Sequence, residues 1–220
     1  MSNHSHLKIL VLIVAVFLTP IVHSENTLIQ INDGDGQPLK NAIVEIIGPS
    51  STSDIISSDP EIMDQVNKRF LPDLLLIKQG QSVLFPNSDN IRHHVYSFSK
   101  AKQFELKLYA GKPKSSVEFE QNGVVIVGCN IHDSMVGSIY VAKNSAMISD
   151  SDGKVSLDID LATDQISVWH PQQKKNPEER EIFDLNNASI SDDQYVFAIK
   201  TATPPARDTF GDTFGDEAEY

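Results

Sequence analysis

The sequence predicts an all-β protein built as sandwiches. Two observations point there. No segment keeps a sustained helical spacing of apolar residues. Short runs rich in Val, Ile, Leu, Phe and Tyr instead recur along the 220 residues, with Gly-, Pro-, Asn- and Asp-containing turns between them.

The first element is not part of that pattern. Lys8 is the only charged side chain before Glu25, and Ile9 to Leu18 is unbroken apolar sequence ended by Thr19 and Pro20. This is the layout of a cleaved secretory signal over residues 1–24, with the cut after Ser24. The run is too short to span a bilayer, which takes about 20 apolar residues. The mature chain is therefore expected in the periplasm or outside the cell, with no stable membrane insertion. No cysteine lies near the cut to carry a lipid.

Residues 25–60 follow. Leu28–Ile31, the turn Asp33-Gly34-Asp35-Gly36 and Ala42–Ile46 read as a hairpin over 27–47, and 49–61 reads as a loop or linker. A dense block covers 61–143. Leu74–Ile77, Ser82–Phe85, His94–Phe98, Phe104–Leu108 and Val117–Phe119 read as strands. Val124–Val127 is continuously apolar, as in a strand buried on both faces, and Gly137–Val141 reads as the closing strand. A third block, 144–200, holds the turn Asp150-Ser151-Asp152-Gly153 between Met147-Ile148 and Val155–Ile159, then Ile166–Trp169 and Tyr195–Ile199. The acidic tail 201–220 repeats Asp-Thr-Phe-Gly at 208–211 and 212–215 and reads as disordered, with a docking peptide as the alternative.

The net charge of −12 disfavours a nucleic-acid partner, because phosphate binding draws on Lys and Arg. An acidic surface serves solubility or a protein partner with a basic face. Cys129 is the only cysteine. In an oxidising compartment it is inert and buried, paired with another chain, or a ligand.

Its neighbours decide between these. Cys129-Asn130-Ile131-His132-Asp133-Ser134-Met135 places a thiolate, an imidazole and a thioether at spacings of three and three, directly after a buried strand. Soft sulfur plus imidazole selects copper, and one Cys, two His and a weak axial Met make a type 1 (blue) copper site. The second imidazole must come from elsewhere. His93 and His94 lie upstream, and strand alternation sends only one of them toward the metal.

On these residues the block 61–143 resembles the cupredoxin family, the small blue copper proteins that include plastocyanin and amicyanin. Asn87-Ser88-Asp89, Phe98 and Gly123 are similar to cupredoxin features, and the short gap from His132 to Met135 is similar to the loop of amicyanin. The resemblance implies a Greek-key β-sandwich and one copper ion held by His93, Cys129, His132 and Met135. The family's His-Asn-apolar pattern maps onto His93-His94-Val95. His94 thus stands where Asn is usual and remains the alternative ligand. Asn130 would help to hold the loop. His132 would be the electron port, with Ile131 and Val136 as an apolar docking patch around it.

Residues 33–44 and 150–157 resemble hairpins of carboxypeptidase regulatory-like β-sandwiches. That implies a second small β-sandwich made from the flanks, with the cupredoxin domain inserted between its two parts. The rival is that 27–47 supplies the first strands of the cupredoxin itself. His170 reads as an edge histidine rather than a second metal site, since no Cys or second His is nearby. Asp33, Asp35, Asp150 and Asp152 read as turn residues, not a calcium loop.

Three functions compete on this sequence. The first is an electron carrier serving a redox protein partner. The second is a copper carrier or storage protein. The third is a metal-free interaction module with Cys129 a bystander. An enzyme is not expected, because a closed four-ligand site leaves no position for substrate.

Overall fold

The computed structural model describes residues 25–48, 57–159 and 165–202. The expected signal segment, most of the acidic tail and residues 49–56 of the expected linker lie outside them. The chain is all-β, as expected, with a single 3-10 turn at Leu185–Asn187 among the described residues.

The first two strands, β1 (Glu25–Asn32) and β2 (Ile43–Ile47), do not form the hairpin expected over 27–47. They belong to different sheets. The Asp33 carboxylate accepts the N–H groups of Asp35 and Gln37, both at 2.9 Å, closing a tight turn that pairs Asn32 with Pro38. Asn41, at φ +66°, then directs the chain to the opposite sheet. Ile29 and Ile31 consequently meet Val44 and Ile46 across a common core rather than along one ladder.

The middle of the chain contributes β3 (Glu61–Ile62), β4 (Asp64–Val66), β5 (Arg69–Leu71), β6 (Leu74–Lys78), β7 (Ser82–Leu84), β8 (His93–Ser97), β9 (Phe104–Tyr109), β10 (Val117–Glu118), β11 (Gly123–Cys129) and β12 (His132–Ala142). A five-stranded sheet in the order β6-β12-β11-β8-β9 packs on a smaller one, β10-β7-β3. Between them lie Val83, Phe85, Val95, Phe119, Val125, Val127, Ile139 and Val141. The expected loop thus ends at Glu61, where pairing with β7 begins.

The remaining strands are β13 (Ala146–Ile148), β14 (Lys154–Ile159), β15 (Gln165–Trp169), β16 (Glu181–Asp184), β17 (Ser189–Ser191) and β18 (Gln194–Ala198). They join β1 and β2 in two four-stranded sheets, β14-β1-β18-β17 and β13-β2-β15-β16, around one apolar core. Just past β18, Thr201 bridges to Gln173.

Alternation along β11 and β12 explains the apolar run Val124–Val127. Val125 and Val127 face the core of the middle sandwich, whereas Val124 faces a third cluster with Ile43, Leu74, Tyr140, Ala142 and Trp169. This cluster joins the flanking sheets to the middle sandwich. Glu45, on β2, is buried within it. Its carboxylate accepts from Tyr140 Oη (2.7 Å), the Lys143 and Asn144 N–H groups (2.8 and 2.9 Å) and Arg180 Nη1 (2.9 Å).

Candidate metal centre

Strands β11 and β12 form a ladder with Gly128 opposite Val136 and Cys129 opposite His132. Between those two pairs β12 carries three extra residues, Asp133, Ser134 and Met135. Asn130 and Ile131 make the turn, so His132 returns beside Cys129. The bulge then turns Met135 inward, where it is buried in the same core as Cys129. The spacings of three and three in the sequence are a two-residue turn followed by a three-residue bulge.

His93 opens β8, which lies beside β11 with Val95 opposite Cys129. Strand alternation separates the two adjacent histidines. His93 is 0% exposed and points at Cys129, while His94 lies on the other face. His94 Nε2 is 2.9 Å from Glu105 Oε1, at ion-pair distance but without the angle of a hydrogen bond.

Three donor atoms converge. Cys129 Sγ is 3.6 Å from His93 Nδ1 and 3.6 Å from His132 Nδ1. All three atoms lie within 4.8 Å of one another, forming a group able to hold a metal ion. A metal bound at about 2.0–2.3 Å from N and S donors in a trigonal or tetrahedral arrangement separates them by about 3.6–3.8 Å. The spacing therefore fits an ion of this size. Cys129 is 3% exposed and Met135 1% exposed, so solvent reaches the group only along His132, which is partly exposed. Burial first, then the proximity of the His93 ring and the Lys68 ammonium, holds His132 below the usual imidazole range, against the opposing pull of Asp89. A neutral imidazole is what a metal ligand requires.

The sequence reading did not single out Asp89 as a partner of His93. Asp89 Oδ2 is 2.7 Å from His93 Nε2. Its two oxygens also accept the N–H groups of Asn67 (2.6 Å) and Lys68 (2.9 Å). Those residues form the β4–β5 turn, both with positive φ (+53° and +56°), as a tight primed hairpin turn requires. Burial raises the carboxyl pKa, but the hydrogen bonds from Lys68, His93 and Asn67 outweigh it and leave Asp89 below the usual carboxylate range. The signal for this partnership in the sequence is faint. An Asp four residues before a His is common, and the hairpin that holds Asp89 is more than twenty residues away.

Asn130 contributes its backbone N–H, which reaches the His94 carbonyl at 3.2 Å. Ile131 and Val136 are exposed beside His132, and Phe98 is exposed just past the end of β8. His170 bonds to backbone on both sides, Nε2 with the Lys40 carbonyl (3.0 Å) and Nδ1 with the Gln172 N–H (3.1 Å). Asp33 and Asp150 cap their own turns, the latter through the N–H groups of Asp152 and Lys154. Among the described residues no helix is long and apolar enough to cross a membrane.

No protein-family model matches the chain, and no curated protein matches it. Several solved structures are similar to part of it. The Cu-containing nitrite reductase from Thermus scotoductus SA-01 is 21% identical over 45% of this chain and 26% of its own, with a TM-score of 0.38. A proline-to-glycine mutant of amicyanin, in its reduced Cu(I) form at pH 4, is 20% identical over 44% of this chain and 98% of its own, with a TM-score of 0.33. A purple cupredoxin from Nitrosopumilus maritimus is 24% identical over 38% of this chain and 99% of its own, also with a TM-score of 0.33. This chain thus spans about a quarter of the nitrite reductase and nearly all of the two smaller proteins.

Proposed function

We propose that this chain is an exported type 1 copper protein that carries single electrons between redox partners. The supporting observation is the convergence of His93 Nδ1, Cys129 Sγ and His132 Nδ1 at 3.6 Å spacings around one point. His93, Cys129, His132 and, as the weak axial ligand, Met135 would hold one copper ion. Such an ion supplies a one-electron couple. The protein's part is to keep the thiolate and imidazoles in one geometry through both oxidation states. Rigid placement of Cys129 and His93 on paired strands serves that end, as does the burial of Met135.

Electrons would pass through His132, the most accessible of the donors, with exposed Ile131 and Val136 offering apolar contact to a partner. The acidic chain would attract a redox protein with a basic face. In this proposal residues 61–143 are a cupredoxin domain inserted in a regulatory-like sandwich made by 25–60 and 144–200. Residues 1–24 direct export to the periplasm or beyond.

The test is a visible absorption spectrum of the mature protein after one equivalent of Cu(II). An intense red-region charge-transfer band is expected, bleached by mild reductant and absent from a folded Cys129→Ser variant. A folded, colourless protein that takes up no copper would overturn the proposal in favour of a metal-free interaction module. A coloured protein that releases its copper readily to a chelator and exchanges no electrons with small redox complexes would indicate a copper carrier.

A further inference from the structure

We infer that Asp89 is a positioning residue for the metal: it fixes the tautomer of His93 and biases the bound ion toward its higher charge. The inference rests on the copper reading above and starts from a proton. A neutral imidazole carries one N–H, and an ionised carboxylate can only accept. With Asp89 Oδ2 at 2.7 Å from Nε2, the His93 proton belongs on Nε2. The lone pair of Nδ1 then faces Cys129 Sγ. His93 is fully buried, so no water competes for either nitrogen.

The carboxylate is itself held in place. Two successive backbone N–H groups of the β4–β5 turn, from Asn67 and Lys68, point at it. Its own N–H donates to Asn87 Oδ1 at 3.1 Å. The Asn87 amide in turn donates to the carbonyls of Ile91 and Tyr109, both at 2.9 Å, closing the loop that carries Asp89 toward His93. The two backbone N–H groups can only donate, so they suit an anion, and an anionic Asp89 has His93 Nε2 as its third donor. Asp89 therefore sets a fixed negative charge behind one imidazole and leaves the other without one. Among the described residues His132 makes no such pair.

A carboxylate behind a metal-bound imidazole increases the basicity of that ligand. The added negative charge favours the cupric over the cuprous ion, which lowers the reduction potential. The hairpin tip at Asn67-Lys68 thus becomes part of the tuning of the site, although it touches no ligand.

The experiment is Asp89→Asn, compared with wild type and with Asp133→Asn, which neutralises an exposed carboxylate next to His132. Copper affinities and the reduction potential are measured on the loaded proteins. The tautomer of His93 is read by nitrogen-15 NMR on the metal-free proteins. In Asp89→Asn we expect the absorption band to remain and Cu(II) affinity to fall about 10–100-fold, with Cu(I) affinity less affected. The potential would then rise by about 59 mV for each tenfold difference between the two losses. The metal-free His93, a single Nε2–H tautomer in wild type and in Asp133→Asn, should become a mixture. Asp89→Glu keeps the charge and should recover part of the potential. A loaded Asp89→Asn protein with unchanged potential and an unchanged His93 tautomer would overturn the inference and leave the copper reading standing. If wild type takes up no copper, the copper reading fails and the inferred bias on the metal falls with it. The tautomer of the metal-free proteins then reports only whether Asp89 orients the ring.

Discussion

Strand β12 begins at one kind of site and ends at another. At its first residues a three-residue bulge brings His132 and Met135 beside Cys129, and the donor atoms of His132 and Cys129 are left facing each other. At its far end Tyr140 is clamped between Glu45, Ser167 and Arg180, with Trp169 packed on its ring. The first end leaves its donor atoms grouped closely enough to hold a metal ion. The second has satisfied each of its own. Cys129, Met135 and Tyr140 are all buried, so the difference is one of partnership. Buried donors converging on one point suggest a ligand, and a buried polar group with several internal partners points to structure.

The comparison is broken most forcefully at the second end. Glu45→Ala would leave the Arg180 guanidinium, the Tyr140 hydroxyl and two backbone N–H groups without their acceptor. Removing one member of a buried charged network costs about 3–5 kcal/mol. Trp169 is the only tryptophan and is fully buried in the same cluster, so its fluorescence reports the loss directly. We expect urea or thermal unfolding of Glu45→Ala to shift by that amount. Below its transition the variant should still show the copper band of wild type. Loss of the band in folded Glu45→Ala would show that the two ends of β12 are not independent.

The two ends also differ in how far they could be read from sequence. Cys129, His132 and Met135 are close in the chain, and their chemistry is distinctive at that spacing. The apolar run Val124–Val127 was legible as a strand covered on both sides, though not what covers it. Glu45 was not legible at all. In Ile43-Val44-Glu45-Ile46 a charge between apolar residues reads as the solvent face of a strand. It does point away from the core of its own sandwich, but Tyr140 and Arg180 then cover it, and that contact joins residues about a hundred positions apart. Asp89 escaped for the same reason, since its role depends on a hairpin distant in sequence. The hairpin expected over 27–47 failed because alternation and turn residues are shared by a hairpin and by a chain that crosses between facing sheets. Only tertiary packing separates the two.

A smaller effect sharpens the contrast between a histidine with backbone partners on both ring nitrogens and those grouped with Cys129. His170 donates from Nε2 to a carbonyl and accepts at Nδ1 from an N–H, an arrangement that admits only the neutral ring. Burial lowers its pKa below the ordinary 6.5, and the bond to Lys40 offsets only part of that. As pH falls through 6.5 the unfolded chain takes up the proton first. The stabilisation is therefore complete above that pH and is lost as pH falls toward the folded value. One group can contribute at most about 1.4 kcal/mol per pH unit. His170→Asn should flatten the pH dependence of unfolding of the metal-free protein between neutrality and mildly acidic pH. An unchanged slope would mean that His170 takes up its proton as readily in the folded state as in the unfolded chain.

The smallest effect expected is the one at His94, and it separates two side chains that are neighbours in sequence. The ladder between β8 and β9 shifts register between His93 and Val95, so simple counting along the strand does not decide which ring faces Cys129. In the structure His93 does, at 3.6 Å, while His94 lies against Glu105 and the Tyr96 ring on the opposite face. A residue on that face can reach the metal only if β8 turns over. Doing so would expose Val95, now fully buried opposite Cys129, and burying a valine side chain is worth about 1.5–3 kcal/mol. His94→Ala should therefore leave the position and intensity of the copper band unchanged, whereas His93→Ala should remove or strongly displace it. The reverse pattern would require β8 to be inverted in the loaded protein, with Asp89 then facing no ligand at all.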